Sequence, residues 1–425
     1  QCARFLIGPR YLSLFTKAGE EKSLIKILHT SYPVDDYTNV TSKIISYVGR
    51  NLYNNEFHPL CLTKQKIVQY FYARFKTGRG NPLFSVYDDL NPVVTVHDNF
   101  DSLLIPKNHI SRNRSECYYI NREQLLRAHT TVHQSYLIKM GLDNFIVFGD
   151  VYRRDEIDST HFPVFHQSDA VKLYDKNQLE SLIGNKIEVL ENQGKEESVE
   201  KQAEHTLEAT KVVENQLKST LIELIKALFG PDISCRWVDV YFPFTHPSWE
   251  LEIEWNGKWI EVLGCGVMRH AILRNAGVEE KIGWAFGIGL ERIAMLLYEI
   301  PDIRLFWSND SGFLNQFKDK SPQDVFKYMP ISVYPQCPND ISFWLPDNDS
   351  FVANDFFEMI REVGGDLIEQ VYLIDDFTHP KTSKRSLCYR IVYRHLERTL
   401  TQTEVNEVHK LIGEQATKQF GVTIR

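Results

Sequence analysis

The sequence predicts an α+β protein with two domains, and three patterns lead to this prediction. Alternating residues around an Asn256-Gly257 turn indicate an antiparallel hairpin. A small-residue strand at 283–289 runs into a helix at 290–298. In about the last ninety residues, strands and helices follow a βαββα(β) order, which is typical of a ferredoxin-like module. The length of 425 residues fits two or three domains.

The composition is that of a folded and moderately acidic globular protein. Hydrophobic residues make up 43% and charged residues 24%, which excludes a disordered or collagen-like chain. The 48 Lys and Arg residues are outnumbered by 56 Asp and Glu residues, so the formal net charge is −8. Because non-specific phosphate binding favours basic proteins, a nucleic-acid partner would have to bind a local basic patch.

Cysteine usage and hydropathy restrict the environment of the protein. The seven cysteines are unclustered and form no CxxC pair, which predicts reduced thiols in a reducing compartment. Charged residues interrupt the apolar runs before the ~18 residues that a membrane span needs. We therefore expect no membrane partner.

The beginning of the chain carries two predictions. Residues 1–19 contain three basic residues and no acid, which is typical of an organelle transit peptide; a frayed basic terminus is the alternative. Residues 20–75 are predicted to be helical. They end in the amphipathic stretch Lys64–Phe75, which the Gly- and Pro-containing segment 78–82 terminates.

The central part of the chain is predicted to alternate between strands and helices. Its elements are strands within 83–96, a polar loop at 99–116, a helix at 122–140 and a buried strand at 145–151. A charge-rich run from 188 to 208 continues into leucines in 4-3-4 spacing. This pattern predicts one long helix that closes at Gly230-Pro231.

The hairpin around Asn256-Gly257 has one acidic and one apolar face. Its first strand alternates apolar residues with three glutamates between 249 and 255, and the return strand runs from 258 to 263. Residues 269–277 are predicted to form a linker or a short helix. An acidic face of this kind is either solvated or lines a pocket that holds cations.

Four prolines between 317 and 338 indicate a domain boundary. We predict one domain at 20–316, a linker at 317–332 and a second domain at 333–425. The second domain is predicted to contain a strand at 340–344, a helix at 354–363, strands at 367–377 and 385–393, and a helix at 403–420.

The buried strand at 145–151 leads into Tyr152-Arg153-Arg154-Asp155, a pattern that suits phosphate binding. Guanidinium groups donate paired hydrogen bonds to phosphate oxygens. A surface network of arginine–aspartate pairs is the alternative interpretation.

Two later segments also carry candidate site residues. Glu261 on the return strand is a candidate magnesium or ribose ligand, since Mg²⁺ prefers one or two carboxylates together with phosphate oxygens. The glycines of 287–289 permit close backbone approach, and the helix after them brings Arg292 near a bound anion. Solvation of Glu261 and tight packing of the glycines are the alternatives.

In this order the three segments resemble the motifs of class II aminoacyl-tRNA synthetases. Tyr152–Asp155 matches motif 2, Gly287–Arg292 matches motif 3, and the strand ending at Asn91-Pro92 lies where motif 1 is expected. Further segments resemble those of phenylalanyl-tRNA synthetases of the mitochondrial single-chain form: Asn99–Leu103, Leu126–Thr130, Phe165–Gln167 and Phe242–Ser248. The C-terminal domain resembles a ferredoxin-fold anticodon-binding domain. The resemblance covers residues 30–425 and implies a class II antiparallel sheet flanked by helices.

The resemblance implies a function and a set of site residues. The function is ATP-dependent attachment of L-phenylalanine to tRNA(Phe) in the mitochondrial matrix, by a monomer that uses Mg²⁺. Arg153 would bind the α-phosphate of ATP and Arg292 the γ-phosphate, with Asp155 and Glu261 bordering the nucleotide. The other substrate-binding residues that it implies are His129, Thr131, Val132, His133, Gln134, Thr160, His161, Phe162, Gln167, Ser168, Asp169, Phe242, Phe244, Ala285 and Phe286.

Within this set the resemblance also implies individual roles. Phe242 and Phe244 would stack against the phenyl ring, which suits aromatic pairs. His129, Gln167 and Asp169 would hold the amino-acid head group. Ala285 and Phe286 would close the far end of the pocket, and 160–162 would border the nucleotide and the acceptor end of the tRNA.

The sequence departs from the family pattern at three positions. Thr131 replaces a serine, Asp169 replaces a glutamate, and Ile110 replaces a proline. The first two changes can loosen the grip on the substrate ammonium, with a bridging water between them. Because an apolar pocket rejects a hydroxyl poorly and no editing domain is visible, we expect some misactivation of tyrosine.

A basic strip in the C-terminal domain is the predicted tRNA contact. It consists of Lys381, Lys384, Arg385, Arg390, Arg394 and Arg398. Tyr389 and Tyr393 lie between these residues, and cations with stacking aromatics suit a single-stranded anticodon loop. A basic strand on a solvated sheet is the alternative.

Two other functions remain open at the level of sequence. A non-catalytic class II-like protein that binds RNA or a partner would be favoured by loss of Arg153 or Arg292, and both are present. A synthetase for a different amino acid would keep the chemistry. Phe242 and Phe244 disfavour a polar amino acid as its substrate.

Overall fold

The computed structural model describes residues 23–191, 196–308, 311–330, 334–346 and 351–425, so the predicted transit-peptide segment 1–19 lies outside the described residues. The strands are β1 (Leu24–Ile27), β2 (Thr30–Pro33), β3 (Ser85–Tyr87), β4 (Val93–Thr95), β5 (Gln124–Leu126), β6 (Asn144–Tyr152), β7 (Val164–Tyr174), β8 (Cys235–Phe242), β9 (Thr245–Trp255), β10 (Lys258–Met268), β11 (Ile282–Gly289), β12 (Cys337–Trp344), β13 (Ile368–Thr378), β14 (Arg385–Tyr393) and β15 (Thr423–Ile424). The α-helices are α1 (Ser42–Ile45), α2 (Pro59–Arg74), α3 (Val96–Asn99), α4 (Gln134–Lys139), α5 (Lys176–Ile183), α6 (Leu207–Phe229), α7 (His270–Asn275), α8 (Leu290–Tyr298), α9 (Ser311–Leu314), α10 (Ala353–Gly364) and α11 (Gln402–Phe420). None of these helices combines the length and the hydropathy of a membrane span.

A seven-stranded sheet forms the centre of the first domain, in the order β3-β6-β7-β11-β10-β9-β8. All neighbours are antiparallel except β3, which runs parallel to β6. Helices α2, α6 and α8 cover one face of the sheet. The core there contains large buried rings such as Phe71, Trp284 and Phe286. The predicted antiparallel sheet flanked by helices is confirmed.

The C-terminal domain is a four-stranded antiparallel sheet in the order β13-β14-β12-β15, with α10 and α11 packed on one face. This is the predicted ferredoxin-like arrangement. Side chains alternate along β14, so Leu387, Tyr389, Ile391 and Tyr393 all enter the core beneath the helices.

The prediction of helix throughout 20–75 is wrong for its first half. Residues 24–33 form the hairpin β1–β2, which buries Ile27 and Tyr32. The short helix α1 covers only Ser42–Ile45. The long helix α2 begins at Pro59, where the proline occupies the first turn and the His58 side chain accepts a hydrogen bond from the Leu60 N–H. The stretch Lys64–Arg74 is helical as predicted.

Two further helix predictions are also corrected. The segment 122–140 contains strand β5, a 3₁₀ turn at 130–133 and the short helix α4, because β5 pairs with β4 instead of continuing a helix. The long helix α6 begins at Leu207, where the Thr206 hydroxyl caps it. In the described part of the preceding charged run, isolated bridges join Leu190 to His205 and Ser198 to Lys201.

The hairpin β9–β10 and the strand–helix unit β11–α8 form where the sequence predicts them. Asn256 and Gly257 have φ values of 50° and 75°, the left-handed turn that such a hairpin needs. Leu251 and Ile253 are buried while Glu250, Glu252 and Glu254 lie on the opposite face.

The two domains are in contact along the segment that follows β6. Arg154 forms a salt bridge with Asp355 at 2.7 Å, and the Arg361 guanidinium donates to the Asp155 carbonyl. Ile157 forms an isolated antiparallel bridge with Val371 on β13, the edge strand of the C-terminal sheet. The C-terminal domain therefore packs against the motif 2 loop of the first domain.

Candidate active site

A cavity of about 590 Å³ opens on the sheet face opposite helices α2, α6 and α8. Side chains from β7, β9, β10 and β11 form its floor, because residues two apart on a strand point to the same face. The loop between β5 and α4 and the loop between β8 and β9 form its walls. Twelve of the implied site residues line it: His129, Thr131, Gln134, Arg153, Asp155, Gln167, Asp169, Phe242, Phe244, Glu261, Ala285 and Phe286, the last with its ring stacked on Phe71.

Two acceptor groups on β7 form a polar end of the cavity. Oε1 of Gln167 and Oδ2 of Asp169 are buried and have no hydrogen-bond partner among the described residues. A buried acceptor without a donor costs free energy, so such atoms mark a place where a ligand donor fits. An ammonium group, which only donates, suits both atoms.

Burial raises the pKa of Asp169 to about 6, although the Thr131 hydroxyl and the Arg153 charge act in the opposite direction. The carboxylate therefore needs a cation to remain charged at lower pH. Room for this carboxylate comes from Gly287 on β11: a Cβ there would lie 2.6 Å from Asp169 Oδ1. The second glycine of the pair, Gly289, has nothing within 4 Å of such a Cβ.

Aromatic rings form the apolar wall of the cavity. The Phe242 and Phe244 rings lie parallel, with centroids 5.7 Å apart and planes 6° apart. The His129 ring stacks on Phe244 at 6.5 Å. Burial and the nearby Arg153 charge lower the pKa of His129 to about 3, so this ring is neutral. Gly264 makes room for the first ring, because a Cβ there would lie 2.9 Å from Phe242 Cζ.

Arg153 is held rigidly at the edge of the cavity. Its Nε donates to the Ala128 carbonyl at 2.8 Å, and its guanidinium lies 5.3 Å from the centre of the Phe165 ring. It forms no salt bridge with any residue that the structure describes. The other N–H groups of this cation are thus available to an anion.

Glu250, Glu261 and Arg292 form a charged group on β9, β10 and α8. Glu250 and Glu261 line the cavity, and Arg292 donates to the Glu261 carbonyl at 3.1 Å and lies 3.6 Å from its carboxylate. Burial and the negative charges of Glu261 and Glu252 raise the pKa of Glu250. Two repelling carboxylates that face a cavity fit Mg²⁺ when phosphate oxygens and water complete its shell. No group of three metal-ligating side chains occurs among the described residues.

Four implied residues have side chains away from the cavity. Ser168 lies on β7 between Gln167 and Asp169, so its side chain is buried on the opposite face of the sheet. Val132 is part of the core beneath the loop. His133 contacts Arg127 at 3.0 Å, and the Phe286 ring stacks on Phe71 at 5.8 Å.

The segment Thr160–Phe162 lies at the domain boundary rather than in this cavity. Asp158 accepts hydrogen bonds from the backbone N–H groups of Thr160 and His161. Phe162 stacks on Trp307 at 5.4 Å. His161 and Phe162 line a second cavity of about 310 Å³, which the C-terminal domain closes.

Sequence reasoning missed the residue that connects these parts, Arg127. It is 1% exposed, and its guanidinium contacts the Asp150 carboxylate and carbonyl, the Leu90 carbonyl and His133. It thereby links the segment between β3 and β4, the motif 2 strand β6 and the loop between β5 and α4. Gly149 leaves space for it, since a Cβ there would lie 2.6 Å from Nη2. Its place in the segment Leu126–Thr130 gave no indication of this role.

The basic strip of the C-terminal domain does not form one uniform surface. Asp376, Asp340, Glu369 and Glu404 pair with Arg385, Arg390, Arg394 and Arg398 respectively. Lys381 and Lys384 are exposed in the turn between β13 and β14. The expectation that Tyr389 and Tyr393 stack on bases is wrong, because both rings are buried under α10 and α11.

Known families match nearly the whole described chain. The family "tRNA synthetases class II core domain (F)" matches residues 42–206 and 195–317, and "Ferredoxin-fold anticodon binding domain" matches 332–425. The "Probable phenylalanine–tRNA ligase, mitochondrial" of Drosophila melanogaster is 56% identical over 418 residues, which cover 94% of this chain and 92% of that protein. The chain belongs to the mitochondrial phenylalanine–tRNA ligase family.

More distant members of the phenylalanine–tRNA ligase family match over a similar length. The mitochondrial enzyme of Mus musculus is 52% identical, over 95% of this chain and 89% of that protein. The mitochondrial enzyme of Saccharomyces cerevisiae is 37% identical, over 95% of this chain and 96% of that protein. The family assignment thus extends over both domains and agrees with the class II fold of the first.

Proposed function

We propose that this chain attaches L-phenylalanine to tRNA(Phe) in the mitochondrial matrix, as a monomer, through a phenylalanyl-adenylate. One observation carries the proposal: a single cavity combines a parallel pair of phenylalanine rings, two buried acceptors without donors, and a rigidly held arginine. These groups suit a phenyl ring, an ammonium and a phosphate respectively. Phenylalanine bound with ATP presents all three.

In the proposed binding mode, the phenyl ring of the substrate stacks against Phe242 and Phe244. Aromatic pairs in such geometry contribute about 0.5–1.5 kcal/mol beyond their buried area. Ala285, whose small side chain faces the cavity, limits its depth. The ammonium donates to Gln167 and Asp169, which fixes the α-carbon between the rings and Arg153.

In the first step, an oxygen of the substrate carboxylate attacks the α-phosphorus of ATP. The P–O bond to the β-phosphate breaks, pyrophosphate leaves, and phenylalanyl-adenylate forms. Arg153 stabilises the negative charge that builds on the α-phosphate, and Arg292 binds the γ-phosphate. Catalysis is then mainly positioning and electrostatic stabilisation by groups that are already in place.

Mg²⁺ would be held by Glu250 and Glu261 together with phosphate oxygens. Its chemical contribution is to offset charge on the phosphate chain. The raised pKa of Glu250 supports this placement, since a cation relieves the repulsion between the two carboxylates.

In the second step, the 2′-hydroxyl of the terminal adenosine of the tRNA attacks the carbonyl carbon of the adenylate. An ester bond forms between this carbon and the 2′ oxygen of the ribose, and the bond between the carbon and the phosphate oxygen breaks. AMP leaves with its phosphate, and the hydroxyl proton is released. The acceptor end has to reach this cavity past the loop that contains Thr160–Phe162. That loop contacts the C-terminal domain in the present arrangement.

We propose that the anticodon binds the open face of the C-terminal sheet. Trp344, instead of the buried Tyr389 and Tyr393, is the residue on which a base stacks. The Trp344 ring lies 6.4 Å from Phe377 and 6.3 Å from His379, and the Arg425 guanidinium lies 5.0 Å from its centre. The exposed Lys381 and Lys384 lie in the adjoining turn. Aromatic rings beside unpaired cations are what single-stranded RNA requires.

The test of the amino-acid specificity is ATP–pyrophosphate exchange with each of the twenty amino acids. We expect exchange with phenylalanine, and weak exchange with tyrosine. Exchange driven by a polar amino acid alone, or by none, would contradict the proposal.

The test of the phosphate contact is Arg153→Ala, with the exposed Arg79→Ala as a matched control. We expect the first variant to lose nearly all exchange activity while its affinity for tRNA stays within about twofold of the parent, because its side chain contacts the α-phosphate in our scheme. The control should retain full activity. An active Arg153→Ala variant would remove this residue from the mechanism.

A further inference from the structure

Lys172 on β7 is a buried amine that the proposed reaction does not use. It lies three residues after Asp169 and points to the other face of the sheet, toward α2, α5 and α6. Only 8% of its surface is exposed. Its Nζ donates to Asn144 Oδ1 at 2.8 Å, and among the described residues no carboxylate lies within 4 Å of it.

Two aromatic rings flank this amine at the bottom of an open cavity. Nζ lies 4.6 Å from the centre of the Tyr174 ring and 5.6 Å from that of Phe75. The cavity has a volume of about 440 Å³, and Gln178 and Leu182 of α5 form part of its rim. The space beside Nζ is therefore large enough for a small organic group and is open to solvent.

The charged groups around Lys172 are engaged elsewhere. Asp143, before β6, pairs with Lys281 at 2.7 Å. Asp175 accepts the capping hydrogen bond of α5 from Gln178 N–H, and Arg74 of α2 pairs with Glu223. Burial outweighs the attraction to the Asp143 charge and lowers the pKa of Lys172 to about 8. At pH 8 the amine is neutral, and hence nucleophilic, in roughly half of the molecules.

We propose that Lys172 is a site of Nε-acylation by small acyl thioesters that enter this cavity. The neutral amine attacks the thioester carbonyl, a C–N bond forms, and the C–S bond breaks. The thiolate leaves and takes up the proton that the amine releases, so the step needs no oxidant and no second enzyme. The amide product keeps one N–H for Asn144 and no longer buries a positive charge, which favours the product.

The experiment is timed incubation of the whole protein with acetyl-CoA between pH 7 and 9, followed by mass spectrometry of each lysine. Lys107 is the comparison, because its amine is exposed and paired with Asp101. We expect Lys172 to acylate about tenfold faster than Lys107 at pH 8, and its rate to level off above that pH. Equal rates at the two lysines in the folded protein would overturn the proposal.

Two substitutions at Asn144 test whether the surroundings of the Lys172 amine, and not only its accessibility, set the acylation rate. Asn144→Asp places a carboxylate beside Nζ, which raises the pKa of the amine by about one unit or more and should slow acylation of Lys172 about tenfold at pH 8. Asn144→Ser, which adds no charge, should keep the parent rate within a few-fold. In urea-unfolded protein the preference for Lys172 should disappear. An unchanged rate in Asn144→Asp, or a preference that survives unfolding, would refute the role of the cavity.

Discussion

The carboxylate of Asp169 occupies the space that a side chain on Gly287 would fill. A Cβ on Gly287 would lie 2.6 Å from Asp169 Oδ1, closer than real Cβ contacts, whereas at Gly289 nothing lies within 4 Å. The motif 3 glycine therefore acts across β7 and β11 on the residue proposed to bind the substrate ammonium. This contact yields a matched pair of variants.

We expect Gly287→Ala to displace the Asp169 carboxylate and raise the KM for phenylalanine about tenfold to a hundredfold, which is the loss of 1.4 to 2.7 kcal/mol of binding. The KM for ATP should change much less. Gly289→Ala should leave both constants near the parent values. Pyrophosphate exchange at varied concentrations of phenylalanine and ATP measures both KM values in both variants. A Gly287→Ala enzyme with an unchanged KM for phenylalanine would contradict the proposed contact.

The pH dependence of phenylalanine binding should follow Asp169. Its pKa of about 6 lies above the ordinary value of 3.8 because it is buried. The charged carboxylate, which we propose as the ammonium ligand, is therefore lost as the pH falls through 6. We expect the KM for phenylalanine to rise about tenfold per pH unit below that point. The same shift means that this group favours the folded state more as the pH falls from 6 toward 4. Asp169→Asn should show a raised KM without this pH dependence.

Removing the Arg127 side chain should destabilise the protein strongly. Arg127→Gln leaves the buried Asp150 carboxylate without its cation, a change that costs about 3–5 kcal/mol of unfolding free energy. The matched control is Arg122→Gln, because Arg122 is exposed and pairs with Asp36 at 2.6 Å. This substitution should lower the free energy of unfolding by at most about 1 kcal/mol. Urea unfolding measures both changes. Similar losses of unfolding free energy in the two variants would show that Arg127 stabilises the fold no more than a surface arginine does.

The proposed anticodon face predicts different effects at two aromatic residues. Trp344→Ala should raise the KM for tRNA(Phe) by about fivefold to a hundredfold, since stacking on a base contributes about 1–3 kcal/mol. Its exchange activity, which needs no tRNA, should be unchanged. Tyr389→Phe alters a ring that is buried among helices and should leave the KM for tRNA as it was. If both variants bind tRNA like the parent, the RNA contact lies elsewhere.

Binding of tRNA should change the relative position of the two domains. Arg361 and Val371 of the C-terminal domain hold the loop at 155–157, so this loop is covered in the present arrangement. We expect a swing about the predicted linker 317–332 and a larger radius of gyration for the protein in the complex. Small-angle scattering with the RNA contrast-matched tests this, and an unchanged protein radius would speak against the swing.

Much of the site follows from local patterns in the chain. The hairpin β9–β10, the strand–helix unit β11–α8 and the C-terminal βαββαβ order depend on alternation, turns and glycines that are close together in sequence. Arg153 and Asp169 could be named as candidates for the same reason, since each belongs to a contiguous motif. The family resemblance supplied their roles.

The structure also decided which members of a motif reach the cavity. Ser168 and Phe286 share contiguous motifs with site residues, yet alternation along their strands turns their side chains to the opposite face of the sheet. Tyr389 is interleaved with basic residues but is buried under two helices. The sequence by itself identified residues of the cavity, because these residues belong to contiguous motifs. Arg127, Gly287 and Lys172, in contrast, acquire their roles from neighbours on other strands. Those neighbours come together only when the sheet forms, because hydrogen-bonded pairing and burial act between segments distant in the chain.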